Sequence, residues 1–140
     1  MRRVIFIFAL SIFLSACDDG KDSGTPSYVK NAASDIESAI IANVIRNSDF
    51  QCGKLLDEKE NVWTIGCSLP ERNPSPFLLF EVREDHEGTN PPFKYKLVAV
   101  NGKAKQYAEN NALRMFKIDT KSSSDINIDE MMGRYTAGFK

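Results

Sequence analysis

Residues 50–69 read Phe-Gln-Cys-Gly-Lys-Leu-Leu-Asp-Glu-Lys-Glu-Asn-Val-Trp-Thr-Ile-Gly-Cys-Ser-Leu. Phe50 to Leu56 and Val62 to Leu69 both alternate, and the polar run Asp57-Glu58-Lys59-Glu60-Asn61 separates them. That is the pattern of a β-hairpin. Folding it about Lys59-Glu60 sets Cys52 opposite Cys67, Leu56 opposite Trp63 and Phe50 opposite Leu69. Side chains alternate with period two, so these residues share one face. Directly opposed residues in an antiparallel pair have Cα atoms about 4.5–5.5 Å apart, within reach of a disulfide. A metal or redox site would call for a Cys-x-x-Cys spacing or nearby histidines, and neither accompanies this pair. Cys52 and Cys67 are therefore expected to form a structural disulfide.

On the N-terminal side of the hairpin, Val29, Ala33, Ile36, Ile40 and Val44 recur at three- and four-residue intervals, flanked by Ala32, Ile41 and Ile45. One apolar stripe on an amphipathic helix over 27–47 follows, expected to pack on the sheet. Thr25 would cap it, with Pro26 at the first helical position and Asn47-Ser48-Asp49 at its end. On the C-terminal side, Pro70 to Pro76 reads as a loop. Phe77 to Arg83 carries apolar residues on both sides, as a central strand does. The polar stretch Glu84 to Pro92 leads to a fourth strand, Phe93 to Val100, whose Lys94 and Lys96 alternate with Phe93, Tyr95 and Leu97. Asn101-Gly102 makes a turn, and Ala104, Tyr107, Ala108, Ala112 and Met115 then follow at helical spacing, predicting a second helix over 103–116. Thr120 to Asp125 is a loop, and one short helical turn is expected in the tail after it.

This order gives an α+β fold: an N-terminal amphipathic helix, a four-stranded antiparallel meander, and a second helix, with the helices on one face of the sheet. In element order alone it resembles the head of pilin-like proteins. The chain has no prepilin cleavage motif, so no residue role is carried over from that family.

The first residues speak to location. Arg2 and Arg3 precede a nearly unbroken apolar run, Val4 to Leu14, and Leu14-Ser15-Ala16-Cys17 follows. Eleven residues of helix span only about 16 Å, roughly half the hydrocarbon thickness of a bilayer. A short apolar run with a basic start and small residues at its end has the layout of a processed signal. Leu14 to Cys17 resembles the lipobox of bacterial lipoproteins. The resemblance covers residues 1–19 and implies that 1–16 are removed as a signal peptide and that the Cys17 thiol and amine are acylated. More than one chain makes such anchoring effectively permanent. In proteobacterial lipoproteins an acidic residue after the lipidated cysteine signals retention in the inner membrane, so the resemblance assigns sorting to Asp18 and Asp19. Residues 17–27, polar and rich in Gly and Ser, are expected to form a tether of about 17 Å reach. Residues 28–140 are expected to form a single domain.

Loss of the signal removes two arginines and leaves sixteen Lys and Arg against nineteen Asp and Glu, a net charge near −3. Such a balance lacks the basic footprint of a nucleic-acid binder. Lipidation of Cys17 leaves an even pair of cysteines, and an exported chain meets an oxidising compartment in which such pairs become disulfides.

Candidate chemistry is sparse. His86 is the single histidine, within Arg83-Glu84-Asp85-His86-Glu87-Gly88. Carboxylates and imidazole in one loop are the donor types for a divalent cation or a general base, although a run of charge more often simply faces water. No Gly-x-Ser-x-Gly elbow or phosphate-binding glycine loop is present. Lys94, Lys96, Lys103 and Lys105 near Phe93 and Tyr95 make a small basic patch. No catalytic residue, cofactor or metal is therefore assigned. The expected role is a non-enzymatic interaction or accessory module, lipid-anchored at the cell membrane and facing the periplasm, with an envelope protein as partner. The alternative is a lipoprotein that binds a small molecule, a cell-wall fragment or an incoming hydrolase.

Overall fold

Ser27–Ile40 form α1, and its buried residues are Val29, Ala32, Ala33, Ile36 and Ile40. These positions are the stripe expected from the sequence. The structure, a computed structural model, describes residues 24–68 and 78–138. Cys17, Asp18, Asp19, the signal segment, the start of the tether, Leu69, Phe77 and the 70–76 loop lie outside the described residues. The start of α1 differs from expectation. Pro26 itself occupies the cap position, no side chain caps the helix, and the Pro26 carbonyl accepts from Val29 N and Lys30 N at 3.1 and 3.2 Å. Proline offers no side-chain acceptor, so its carbonyl closes the first turn instead. The helix also ends sooner than 47. Ile41–Ile45 widen into a π-turn, and Arg46 stops it in the left-handed region at φ 54°.

Gln51–Asp57 form β1, Val62–Ser68 β2, Leu78–Glu84 β3 and Tyr95–Ala99 β4. They run as an antiparallel meander in the order β1-β2-β3-β4. The hairpin register is the one read from the sequence: Cys52 pairs with Cys67 and Leu56 with Trp63, and the two cysteines are disulfide-bonded. Period two then sorts the sheet into two faces. On one face Ile65, Cys67, Leu78, Phe80, Val82, Tyr95, Leu97 and Ala99 meet α1 in the main core.

The segment after β4 is two pieces rather than one helix. Gly102–Ala108 form α2, and Asn111–Phe116 form a 3₁₀ segment. Asn101 Oδ1 accepts from Ala104 N and Asn110 Oδ1 from Ala112 N, both at 2.9 Å. Asparagine favours caps over helix interiors because its side chain competes for nearby backbone N–H groups, so Asn110 restarts the chain where a continuous helix was expected. Ala104, Leu113 and Phe116 complete the main core.

The tail departs furthest from expectation. Ile128–Gly138 form an 11-residue helix, α3, in place of a single turn. It covers the opposite face of the sheet, where Met131 and Tyr135 join Leu79, Val100 and Ile126 in a second core. Helices thus pack on both faces, not one. The reason lies in the sheet: Thr64, Gly66, Leu79 and Val98 on this second face are buried too, and buried strand positions need a cover.

Both sheet edges are blunted. Asp119 pairs beside β4, with Ala99 N donating to Asp119 O at 2.8 Å and Asp119 N to Leu97 O at 2.9 Å. At β1, Cys52 N donates to Glu37 Oε2 at 2.8 Å, and Arg134 Nη1 donates to Leu56 O at 2.9 Å. Satisfying outward-facing backbone groups in this way removes a template for strand addition at those positions.

Candidate functional site

The acidic loop after β3 is organised around Asp85, not His86. The Asp85 side chain is buried, with Oδ1 accepting from Thr89 Oγ1 at 3.0 Å and Oδ2 from Asn90 N at 2.8 Å. Lys96 Nζ stands 3.5 Å from Oδ1. Burial alone would raise this carboxyl, but the Asn90 and Thr89 donors and the Lys96 charge hold it below the ordinary carboxylate range. His86 projects outward with its side chain 77% exposed, and Nε2 lies 3.4 Å from Glu84 Oε2. The structure therefore separates the loop's charges, since Asp85 points inward to fix the turn while His86 and Glu87 face water. Among the described residues no group of three or more His, Cys, Asp or Glu side chains converges to hold a metal.

The expected basic patch is not one surface. Lys96 lies on the second face beside Asp85, whereas α2, which carries Lys103 and Lys105, packs through Ala104 into the main core. Phe93 and Tyr95 are not an exposed aromatic pair. Their rings sit 5.3 Å apart, and Phe93 stacks against Phe116 at 4.9 Å. The Tyr95 hydroxyl donates to Asp35 Oδ2 at 2.7 Å, tying β4 to α1. Burial and the neighbouring Asp35 carboxylate push this phenol far above its usual range.

A cleft that the sequence did not single out lies on the half of the second face beyond α3. It has a volume of about 220 Å³ and is lined by Arg83, Thr89, Asn90, Lys96, Lys117 and Asp119, together with Leu97 and Val98 of β4. Arg83 and Lys96 are directly opposed across β3 and β4. Like charges in that relation repel, so each needs an anionic neighbour. Arg83 Nε donates to the buried Glu81 Oε1 at 2.6 Å, and Ser124 Oγ donates to Oε2 at 2.9 Å. Asp119 Oδ1 accepts from Lys121 N at 2.8 Å and Ser122 N at 3.0 Å, and its Oδ2 from the Ser122 hydroxyl. The hydroxyl foremost, then these N–H groups, bring the Asp119 carboxyl down to about 2. Asn90 Nδ2 donates to Tyr95 O at 3.0 Å and Phe116 O at 3.2 Å. The one signal in the sequence was the alternation of Arg83 and Lys96 against apolar neighbours. It marks the cleft only once the β3–β4 register is known.

Met115, 61% exposed, is the sole large hydrophobic side chain in the exposed class among the described residues. No helix among them is long and apolar enough to cross a membrane. No family model matches the chain, and neither does any curated protein or solved structure.

Proposed function

We propose that this protein is a lipid-anchored envelope protein, held through Cys17 at the cell membrane with its domain in the periplasm, and that it works as a non-enzymatic interaction or accessory module. The observation that carries the reading is the run Arg2 to Cys17, basic start, apolar stretch and small residues before the cysteine. The Cys52–Cys67 bridge supports it, because paired cysteines become disulfides in oxidising compartments and stay reduced in the cytosol. Asp18 and Asp19 favour the inner membrane as the address. The role as a module draws on the acidic loop. Its buried carboxylate is committed to shaping the turn, and its histidine stands in water beside one carboxylate.

The test is cellular. His86→Ala should leave the fold and the phenotype intact, while photo-crosslinkers on the exposed surface of the anchored protein should capture one reproducible envelope partner. Loss of phenotype in a stably folded His86→Ala protein would overturn the reading and direct attention to acid–base or metal chemistry in that loop.

The second reading is a lipoprotein that binds a small ligand. The cleft beside β3 and β4 favours it, because it gathers Arg83, Asn90, Lys96 and Asp119 around one recess.

A further inference from the structure

We infer that the cleft between β3, β4 and the Lys117–Asp119 segment is a binding site for a compact neutral polyol, a single sugar ring or smaller. The inference rests on the ligand-binding reading, which it deepens, and is independent of the Cys17 anchor.

The hydrogen bonds of Asn90 carry it. Its N–H donates to Asp85 Oδ2 at 2.8 Å, and its carbonyl accepts from Phe93 N at 2.9 Å. Its Nδ2 donates to Tyr95 O at 3.0 Å and to Phe116 O at 3.2 Å. Two carbonyls fix the NH2 end, so the other end of the amide is the oxygen. That Oδ1 is shielded from solvent and is the single buried side-chain polar atom among the described residues with no hydrogen-bond partner. Buried acceptors are ordinarily paired, because an unmade bond forfeits hydration without replacing it. Asn90 lines the cleft, and bulk water does not satisfy its oxygen, so the partner it lacks is a donor that the recess itself holds. A carboxylate brings no such proton.

Charge balance narrows the occupant further. Arg83, Lys96 and Lys117 line the cleft with Asp119, Arg83 pairs with Glu81, and Lys96 stands beside Asp85. Three cations meet three carboxylates, so the walls select neither an anion nor a cation. They do offer hydrogen bonds of both kinds. A carboxylate has about four acceptor sites. Asp119 fills three, with Lys121 N, Ser122 N and the Ser122 hydroxyl. The guanidinium and ammonium groups supply the donors. The complementary molecule is uncharged and both donates and accepts at several points, which is the chemistry of neighbouring hydroxyls. Size sets the limit. About 220 Å³ is the space of about seven waters at roughly 30 Å³ each, and it falls below the range of sites for drug-sized molecules. One ring with its hydroxyls fits that space, and a chain of rings does not.

The test is a titration of full-length protein in detergent micelles, followed by two-dimensional NMR of backbone and side-chain amides. The polyol probes are glucose and glycerol, and the controls are acetamide, sodium succinate and methylammonium chloride. A hydrogen bond accepted by Oδ1 perturbs the Nδ2 resonance of the same amide, so no substitution of this structural residue is needed. Saturable shifts of the Asn90 side-chain amide and of the Thr89 and Asp119 backbone amides are expected with at least one polyol, at about millimolar concentration. Saturation by acetamide, succinate or methylammonium with both polyols silent would overturn the polyol assignment and leave a ligand-binding cleft. Silence from every probe would remove both. Either result would leave the anchoring reading standing, since that depends on Cys17 alone.

Discussion

Gly66 shows what a single residue decides in this fold. It lies in the middle of β2, where glycine ordinarily weakens a strand. The Tyr135 ring rests directly on it, and a Cβ there would come within 2.7 Å of the ring carbons. The tyrosine hydroxyl continues to Thr64 Oγ1 at 2.7 Å, and Thr64 donates onward to Leu55 O at 2.9 Å. The missing side chain thus lets α3 seat a large aromatic flat on the sheet. Gly66→Ala should lower unfolding free energy by about 1–3 kcal/mol, the usual range for overpacking, as read from the urea midpoint at unchanged slope. Asp119 works through charge. Its folded value of about 2 lies below the ordinary 3.8, so the ionised carboxylate adds stability above the higher value and loses it as pH falls to the lower. The melting-temperature gap between wild type and Asp119→Asn should therefore narrow between those two pH values and stay constant above them.

Among the elements, those legible in the sequence had one strong period and a clear boundary. The hairpin was readable to the residue because two alternating runs flank a polar turn and two cysteines had to meet. The α1 stripe was equally plain. The second helical region reads as helical but not as broken, since the break depends on what Asn110 does with its side chain. The sequence signals of α3 are weaker but present. Ile128, Met131 and Tyr135 keep helical spacing, Asn127 Oδ1 accepts from Glu130 N at 3.1 Å, and Asp129 and Glu130 fill the first turn, where acidic residues suit the helix dipole. Gly133 and the charged neighbours diluted that pattern. At this scale the disulfide gives the direct test. It closes a loop with a sequence separation of 15, so reducing the oxidised protein should cost about 3 kcal/mol in the chain-entropy account. The loss should appear as a lower urea midpoint, and an unchanged midpoint would mean that the hairpin holds its register without the bridge.

At the scale of the molecule, four strands carry a core on each face, and the helices complete both. The sheet edges are tied by Glu37, Arg134 and Asp119. The cleft was invisible in the sequence for a physical reason. Its cations come from β3, β4 and position 117, far apart along the chain, and only strand register and the return of the Lys117–Asp119 segment bring them together. The proposed anchor is the reverse case, a reading of a local run in the sequence alone. Mass analysis of the N-terminal peptide, taken from protein purified out of native membranes, tests it most directly. The expected peptide begins at Cys17 and carries a diacylglycerol on the thiol and an acyl chain on the amine. A peptide that begins at Met1, or one that includes an unmodified Cys17, would contradict the lipid-anchored reading.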